Sequence, residues 1–205
     1  MKRLIDIVAA AFALVLLSPV IAAVALAILL LDGRPIFFRQ RRPGLHAKPF
    51  EMIKFRTMTV SDDSDRIDAG TARITPLGAF LRRTSLDELP EFWNVLRGDM
   101  SLVGPRPLLM AYLPHYSAEQ ARRHDVRPGI TGLAQVSGRN AISWEQKLGY
   151  DTRYVDTHTL MLDLRILFTT VMKVVRRADV DASEGETMQP FTGTANSKAG
   201  TGVER

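Results

Sequence analysis

Hydrophobic residues are concentrated near the N-terminus, where residues 7–31 form one nearly unbroken apolar run behind Lys2 and Arg3. About 25 residues are enough for a helix to cross the hydrocarbon core of a bilayer. Ser18 and Pro19 lie near the middle of the run, and a proline inside a helix removes a backbone hydrogen bond and kinks the helix. The pattern therefore predicts two apolar half-helices joined by a break at Ser18 and Pro19.

Three interpretations of the apolar run compete. A cleaved signal peptide would explain Lys2 and Arg3 and the cleavage-like sequence ALA at residues 25–27, but the run continues past that point. A spanning helix would tolerate Pro19. A re-entrant pair would keep both ends on the cytoplasmic face, which agrees with the positive charge on both flanks of the run. We therefore prefer a re-entrant helix pair over residues 1–33.

Beyond the apolar run, the pattern predicts short strands and helices. Residues 50–55 are typical of a strand, and residues 77–81, after Pro76, are typical of a helix. Residues 144–177 place apolar side chains at i, i+3 and i+4, a stripe that would pack on the core or lie in the membrane interface. The stripe consists of Leu160, Leu164, Leu167, Phe168, Val171, Met172 and Val175.

The predicted fold class is therefore α+β and mainly helical. It combines the re-entrant N-terminal membrane helix of residues 1–33 with interfacial amphipathic helices and a small cytoplasmic catalytic part over residues 34–180. Residues 181–205 are rich in Ser, Thr and Gly, which predicts a disordered tail.

Composition narrows the chemistry. The chain of 205 residues has no cysteine, which excludes disulfides, thiolate catalysis and zinc–thiolate sites. Its net charge of +5 suits phosphates, nucleic acid or acidic lipid, although ordinary surface charge would give the same balance. The arginines within residues 34–42 suit anionic lipid headgroups or act as an orientation signal. Sequence motifs of phosphate-binding loops, dinucleotide-binding folds and nucleophile elbows are absent.

An acidic pair, Asp87 and Glu88, is the strongest candidate for catalysis. Ser85 and Glu88 fit a capping box and Pro90 suits a first turn, so both acids are expected at a helix N-terminus. The helix dipole alone would account for acids at that position. It would also keep Asp87 ionised, and an ionised carboxylate can attack phosphorus to form an acyl phosphate.

Six cations are candidates for binding phosphate: Lys54, Arg56, Arg82, Arg106, Arg127 and Arg139. Arginine forks match phosphate oxygens with two hydrogen bonds. Arg106 and Arg127 lie in Pro/Gly-rich turns, GPRP at residues 104–107 and RPG at residues 127–129, that would let the backbone approach a ligand or form tight corners. Magnesium would be the natural metal, because it prefers carboxylate plus phosphate oxygens.

Several motifs occur together in a fixed order. They are Ser18 and Pro19, the Q-x-R-x-G spacing of residues 40–44, KFRTM at residues 54–58, SLDELPEFWNVLRGDMSLVGPRP at residues 85–107 and RPGITGLAQV at residues 127–136. Together they resemble the bacterial sugar transferase family, the monotopic phosphoglycosyl transferases. The resemblance extends from Lys2 to about residue 177 and covers the small catalytic unit, without the additional transmembrane domain of larger members.

The resemblance implies a two-step mechanism. Asp87 matches the family nucleophile, Glu88 its partner and Arg82 a supporting arginine. Asp87 would attack the β-phosphorus of a UDP-sugar, release UMP and pass the phosphosugar to undecaprenyl phosphate, with Mg²⁺ bound at Asp87. The other expected substrate-binding residues are Lys54, Arg56, Arg106, Arg127, Gln135 and Arg139.

The resemblance also implies a location and partners. The chain is expected at the bacterial inner (cytoplasmic) membrane, monotopic, with its catalytic part facing the cytoplasm. The expected partners are a UDP-sugar, undecaprenyl phosphate, an anionic lipid membrane and other enzymes of a glycosylation pathway, with no role for nucleic acid.

The expected sugar follows from two further segments. Residues 123–126 (RHDV) and 138–144 (GRNAISW) resemble the transferases that start N-linked protein glycosylation, so UDP-N,N'-diacetylbacillosamine is the expected donor. The alternatives are the same reaction with another UDP-sugar in capsule or O-antigen synthesis, and a membrane-anchored anion-binding protein without catalysis. The last alternative has no need for an acidic pair among arginines.

Overall fold

The computed structural model describes residues 1–59, 73–138, 142–176 and 190–193. Its helices are α1 (Lys2–Leu16), α2 (Ser18–Leu31), α3 (Pro76–Thr84), α4 (Glu91–Arg97), α5 (Ala118–Ala121), α6 (Leu133–Ser137), α7 (Trp144–Thr157) and α8 (Leu160–Arg176). Its strands are β1 (Phe37–Pro43), β2 (Pro49–Phe55), β3 (Ser101–Val103) and β4 (Gly129–Thr131). Short 3₁₀ turns occur at Leu45–Ala47, Leu86–Glu88, Met110–His115 and Arg122–His124. This content confirms the predicted α+β, mainly helical class.

The N-terminal apolar run forms two helices, α1 and α2, that bend by 60° at the break between them. Pro19 lies in the first turn of α2, where its missing N–H leaves no helical hydrogen bond broken, and the Ser18 hydroxyl donates to the Val15 carbonyl (2.8 Å). The predicted helix break is thereby confirmed. Among the described helices, none taken singly is long and apolar enough to cross a membrane, whereas this bent pair meets that length and hydrophobicity as a unit.

Polar side chains near the start of α1 attach that helix to the rest of the fold. The buried Asp6 carboxylate accepts hydrogen bonds from the Ser101 hydroxyl (2.9 Å) and the Leu102 backbone N–H (3.2 Å). Arg3 donates to the Val95 carbonyl (2.7 Å) in the last turn of α4, where the negative end of the helix dipole favours a cation. The first turns of α1 are therefore part of the globular fold.

The first sheet is an antiparallel hairpin of β1 and β2, paired from Phe37 opposite Phe55 to Pro43 opposite Pro49. The strand predicted at residues 50–55 is confirmed. The basic segment at residues 34–42 forms β1, a strand that its charge pattern does not predict. A single strand is not stable without a partner, so β2 itself implied a neighbouring strand.

The second sheet pairs β3 and β4 in parallel, with Ser101 opposite Gly129 and Val103 opposite Thr131. The two strands approach so closely that a Cβ atom added to Gly129 would lie 2.1 Å from the backbone nitrogen of Gly104. Glycine is required where two backbones come this close. This pairing places the two Pro/Gly-rich arginine turns side by side.

The core consists of two clusters of buried side chains. The larger contains Ala10, Met52, Val95, Met100, Leu102, Val103, Tyr154 and Ile166, and the smaller contains Val24, Ile28, Phe55 and Leu81. Leu86 and Leu89 pack against the smaller cluster, while Phe92 and Leu96 pack against the larger. The segment that carries the acidic pair is therefore fixed from both sides.

The helix predicted over residues 144–177 is interrupted at His158, whose backbone is extended. Helix α8 begins after Thr159, whose hydroxyl accepts a hydrogen bond from the Leu162 N–H (3.2 Å). A threonine ahead of an apolar run is a helix N-cap signal, so the sequence contained evidence for this break. Of the predicted apolar stripe, Leu167 packs against the core, and four positions are exposed: Leu160, Leu164, Phe168 and Val171.

Most of the predicted disordered tail, residues 181–205, lies outside the described residues. Within it, Phe191 is 5% exposed and its ring contacts Tyr112, Tyr116 and Trp144. A single phenylalanine in a polar segment carries no periodic signal, so this contact could not be predicted from the hydrophobic pattern.

Candidate active site

The acidic pair lies in the 3₁₀ turn Leu86–Glu88, between α3 and α4. Ser85 ends α3 in a left-handed conformation (φ 56°), and its side chain makes no capping hydrogen bond. The predicted capping box of Ser85 and Glu88 is therefore wrong. Glu88 cannot turn back to Ser85 because its carboxylate binds cations from other elements.

Glu88 accepts two hydrogen bonds from cations that are distant in sequence. Its Oε1 atom lies 2.8 Å from Nζ of Lys54, on β2, and 2.6 Å from Nη2 of Arg106, in the turn after β3. Burial opposes ionisation of Glu88, but the charges of Arg106 and Lys54 outweigh it and hold the pKa of Glu88 below its usual range. Glu88 therefore remains ionised at neutral pH and fixes both cations.

Glu91 is a third acid at this position, and sequence reasoning missed it. It is 2% exposed, and its Oε1 atom lies 3.0 Å from Nζ of Lys54 without hydrogen-bond geometry. Burial, followed by the charge of Glu88, raises the pKa of Glu91 to about 7. The three-residue spacing of Glu88 and Glu91 places both on one helical face and was the signal available in the sequence.

Asp87 is nearly buried, at 9% exposed. Burial raises its pKa and Glu88 adds to that effect, while Lys54, Arg106 and Arg82 act against it. The helix dipole is expected to favour the ionised form of Asp87, but a single 3₁₀ turn has little dipole, so burial dominates. Within the described part of the chain, no donor forms a hydrogen bond to the Asp87 carboxylate. Of the two predicted catalytic acids, Asp87 is thus the one that is free to react.

Arg82 and Arg56 are both predicted to bind substrate, but they have different partners. Arg82 Nε donates to the Thr57 hydroxyl (2.9 Å), which holds this cation near Asp87. Arg56 is 7% exposed and donates instead to the carbonyls of Arg34 (2.8 Å) and Gly33 (2.9 Å) beyond the end of α2. The structure thus brings Arg82 to the acidic pair and uses Arg56 to attach α2.

Arg106 is itself supported by buried charges. Arg123 donates to the Arg106 carbonyl (2.6 Å) and pairs with Asp151 (2.7 Å), and the side chains of Arg123 and Asp151 are each 2% exposed. Arg42 lies on the other side of the turn, 3.4 Å from the Pro107 carbonyl. Its burial, and then its proximity to Arg106, lowers the pKa of Arg42 to about 10. These contacts hold the Arg106 turn rigidly and surround it with positive charge.

Arg127 and Gln135 lie apart from the acidic pair. Arg127 Nε donates to the Gly98 carbonyl (2.9 Å), and its side chain lines an open cavity of about 320 Å³ together with Lys2 and Arg3. Gln135 Nε2 donates to the Ile130 carbonyl (3.4 Å). Arg139, also predicted to bind substrate, lies outside the described residues.

The predicted Mg²⁺ at Asp87 can be compared with the donors present. Among the residues that the structure describes, no three His, Cys, Asp or Glu side chains are grouped as metal ligands. Magnesium commonly takes one or two carboxylates and completes its shell with substrate phosphates and water. The uncommitted Asp87 carboxylate fits that manner of binding, whereas Glu88 is already occupied by Lys54 and Arg106.

Comparisons with known proteins agree with the predicted family. The family model described as bacterial sugar transferase matches residues 1–177. The uncharacterized sugar transferase EpsL of Bacillus subtilis (strain 168) is 50% identical over 96% of this chain and 98% of its own length. A UDP-glucose:undecaprenyl-phosphate glucose-1-phosphate transferase of Caulobacter vibrioides is 44% identical over 83% of this chain and 68% of its own length.

A third relative is much longer than this chain. The UDP-galactose-lipid carrier transferase of Erwinia amylovora is 38% identical over 86% of this chain, which spans 41% of that protein. The family model covers most of the chain and includes the Asp87–Glu88 turn, Lys54 and Arg106. The chain belongs to the bacterial sugar transferase family.

Proposed function

We propose that this chain is a phosphoglycosyl transferase that moves a sugar 1-phosphate from a UDP-sugar to undecaprenyl phosphate and releases UMP. The observation that carries the proposal is the uncommitted Asp87 carboxylate beside the Glu88–Lys54–Arg106 ion-pair network. The names of the relatives supply the substrate classes, since one is named for UDP-glucose and undecaprenyl phosphate and another for UDP-galactose and a lipid carrier.

In the first step, a carboxylate oxygen of Asp87 attacks the β-phosphorus of the UDP-sugar. A new bond forms between that oxygen and phosphorus, and the bond from phosphorus to the bridging oxygen breaks. The bridging oxygen leaves with the electron pair as part of UMP. Arg106 and Lys54 are placed to bind the phosphate oxygens, because Glu88 holds both cations next to Asp87. The product is an aspartyl-phosphosugar.

In the second step, a phosphate oxygen of undecaprenyl phosphate attacks the same phosphorus. The bond to Asp87 breaks and the carboxylate is regenerated. The attacking phosphate is already an anion, so this step requires no base to remove a proton. Glu88 therefore acts in our proposal as an anchor for Lys54 and Arg106.

We propose Mg²⁺ as the cofactor; Asp87 and phosphate oxygens of the donor would hold the ion. When bound, the ion supplies positive charge that offsets the repulsion between a carboxylate and a pyrophosphate. Activity is expected to vanish in excess chelator and to return when Mg²⁺ is restored. Full turnover in chelator would remove the metal from the proposal.

The Asp87→Asn variant tests the covalent step, because it keeps the side-chain shape and removes the nucleophile. We expect UMP release to fall by about 10⁴-fold or more. Asp156→Asn, at an exposed carboxylate on α7 that pairs with Arg122, is the matched control and should retain activity. Wild-type protein incubated with donor alone should gain the mass of one sugar phosphate on the peptide that contains Asp87. Active wild-type protein without this adduct, together with kinetics that require a ternary complex, would refute the covalent step.

A panel of UDP-sugars tests the choice of donor. The relatives' names make UDP-glucose and UDP-galactose the first donors to compare. UDP-N,N'-diacetylbacillosamine remains our prediction from residues 123–126 and 138–144. The side chain of Arg123, in the first of these segments, is buried in an ion pair with Asp151 and is therefore not placed to contact the sugar directly. The UDP-sugar with the highest kcat/KM is identified as the donor.

We also propose that α1 and α2 form a re-entrant pair in the bacterial inner membrane. Both ends of the pair are attached to the same globular part, α1 through Arg3 and Asp6, and the end of α2 through Arg56. A pair with both ends fixed in this way returns to the side from which it entered. Large apolar side chains around its bend are exposed, among them Phe12, Val15, Leu16 and Val20.

Cysteine labelling tests this topology, because the chain has no cysteine of its own. One protein carries a cysteine ahead of Met1 and another carries Arg34→Cys. We expect a membrane-impermeant reagent to label both only from the cytoplasmic side. Labelling of the two positions from opposite sides would show a spanning helix.

A further inference from the structure

The buried ring of Phe191 begins a continuous series of contacts that ends at the acidic pair. Ring centroids of Tyr112, Tyr116 and Trp144 lie 5.8, 5.5 and 5.4 Å from that of Phe191. Phe191 is 5% exposed, although it lies beyond residue 177, where the family match ends. Its burial therefore lies outside the part of the chain that the family model covers.

Tyr116 connects Phe191 to the buried ion pair. The guanidinium of Arg123 lies over the Tyr116 ring, 5.7 Å from its centroid, and Nη1 of Arg123 lies 3.4 Å from the Tyr116 hydroxyl. Phe191 stacks on the same ring with an angle of 28° between the planes. Removing Phe191 would leave Tyr116 without its stacking partner, so the Tyr116 ring would hold the Arg123 side chain less firmly.

Arg123 connects Tyr116 to Arg106. One nitrogen of Arg123, Nη2, donates to both the Asp151 carboxylate (2.7 Å) and the Arg106 carbonyl (2.6 Å). The Arg106 side chain in turn donates to Glu88 (2.6 Å). Because prolines at positions 105 and 107 stiffen this turn, a displacement of the Arg106 carbonyl also displaces its guanidinium.

We propose that Phe191 is a positioning residue, which packs residues 190–193 against Tyr116 and thereby holds Arg106 where the pyrophosphate of the UDP-sugar binds. Phe191 itself touches no reacting group. The inference rests on the proposed function for its effect on catalysis, while the packing of Phe191 can be tested without turnover.

Kinetics of Phe191→Ala test the effect on catalysis. The donor KM is expected to rise by about three- to tenfold, the range that one or two aromatic ring contacts can supply. The KM for undecaprenyl phosphate should not change, because Arg106 is placed to bind the donor. Phe191→Tyr retains the ring and should restore the donor KM. A purely structural role would lower kcat in proportion to the folded fraction and leave the donor KM unchanged, which would overturn the proposal.

Two truncations provide a matched comparison. A chain that ends after residue 189 lacks Phe191 and should behave like Phe191→Ala, whereas a chain that ends after residue 193 keeps it and should behave like the wild type. Equal donor KM values for the two truncated chains would overturn the proposal.

Hydrogen–deuterium exchange separates this inference from the proposed function. Peptides from residues 104–124 should exchange faster in Phe191→Ala than in the wild type, even if no UDP-sugar in the panel is turned over. Inactivity of the wild type would refute the proposed function alone. Unchanged exchange in these peptides would refute the positioning role.

Discussion

The two arginine turns look alike in sequence but differ in their partners. Each places an arginine next to proline and near glycine, in residues 104–107 and 127–129. In the fold, Arg106 donates to the Glu88 carboxylate (2.6 Å), whereas Arg127 donates to the Gly98 carbonyl (2.9 Å). The local motif forms a rigid turn in both cases. Whether the arginine binds a carboxylate or a backbone carbonyl depends on which residue the fold places opposite the turn.

The second turn has a structural role toward the first. The backbone N–H of Gly129 donates to the Pro105 carbonyl (3.0 Å), and that of Gly104 donates to the Thr131 carbonyl (2.9 Å). The glycines that were expected to let a ligand approach the backbone let another strand approach instead. The Arg127 turn thus supports the Arg106 turn from behind.

Within this comparison, we expect the largest effect on activity from replacing Arg106. Arg106→Ala should lower kcat/KM for the UDP-sugar by about 10²- to 10³-fold, since it removes a positioned donor to the phosphate. The rate of UMP release is the measurement. Arg106→Ala also leaves the half-buried Glu88 with Lys54 as its cation, so Arg106→Lys is the companion variant that retains the charge. Wild-type kcat/KM in both variants would show that Arg106 does not bind the donor.

The next effect is on the contact between the two turns. A Cβ atom at Gly129 would lie 2.1 Å from the Gly104 nitrogen, so Gly129→Ala must push β3 and β4 apart. We expect a loss of about 2–4 kcal/mol in the free energy of unfolding, measured by denaturant titration in detergent. Gly149, inside α7, has no atom within 4 Å of an added Cβ, so Gly149→Ala should gain about 0.5–1 kcal/mol. Equal effects at both glycines would contradict the close packing of the turns.

The sequence predicted those features that local chemistry determines. The break at Pro19, the helix after Pro76 and the strand at residues 50–55 follow from proline geometry and hydrophobic pattern, and all three are present. The candidates Asp87 and Glu88 also came from the sequence, through their position among cations and their motif. What could not be predicted was which cation meets which acid, because Lys54 and Arg106 reach Glu88 from elements that are 34 and 18 residues away.

The same limit explains the remaining differences. Arg56 was expected at the phosphate, but in the fold the end of α2 lies beside β2 and offers it carbonyl groups. The burial of Glu91 depends on its contact with Lys54 and on the packing of α4. The spacing of Glu88 and Glu91 places both acids on one helical face, but the partners of Arg56 and Glu91 come from elements that are distant in sequence.

A third prediction uses pH to separate Glu91 from Glu88. Burial, with the charge of Glu88, raises the pKa of Glu91 from 4.5 to about 7, so the folded protein binds this proton more tightly than the unfolded chain. The resulting stability is complete below pH 4.5 and is lost as the pH rises through about 7. Glu91→Gln cannot ionise, and it should therefore be more stable than the wild type at pH 8 by about 1–3 kcal/mol.

The measurement for Glu91 is the free energy of unfolding of the wild type and of Glu91→Gln at two pH values. At pH 4, below the ordinary pKa of 4.5, the Glu91 side chain is neutral in the folded protein and mostly neutral in the unfolded chain, so the difference from Glu91→Gln in urea unfolding should nearly disappear. Glu119→Gln, at an exposed acid on α5, is the control and should not change the pH dependence. A stability difference that is the same at both pH values would mean that Glu91 does not gain a proton in this range.

The smallest expected effect tests the other half of the comparison. The sequence predicts Arg127 as a phosphate ligand, but in the fold its Nε hydrogen bond goes to the Gly98 carbonyl. Arg127→Gln should therefore lower the free energy of unfolding by about 1 kcal/mol, the value of one hydrogen bond. It should change kcat/KM by less than about threefold, because the Arg127 hydrogen bond goes to a backbone carbonyl and not to the acidic pair. A threefold change corresponds to about 0.7 kcal/mol in the activation barrier. The same UMP-release assay, run beside Arg106→Lys, provides the measurement. If Arg127→Gln lost as much activity as Arg106→Ala without a loss of stability, Arg127 would have to bind the donor during the reaction. The two turns would then be equivalent in function, as their sequences suggest, and the contrast between their partners would hold only for the protein without its substrate.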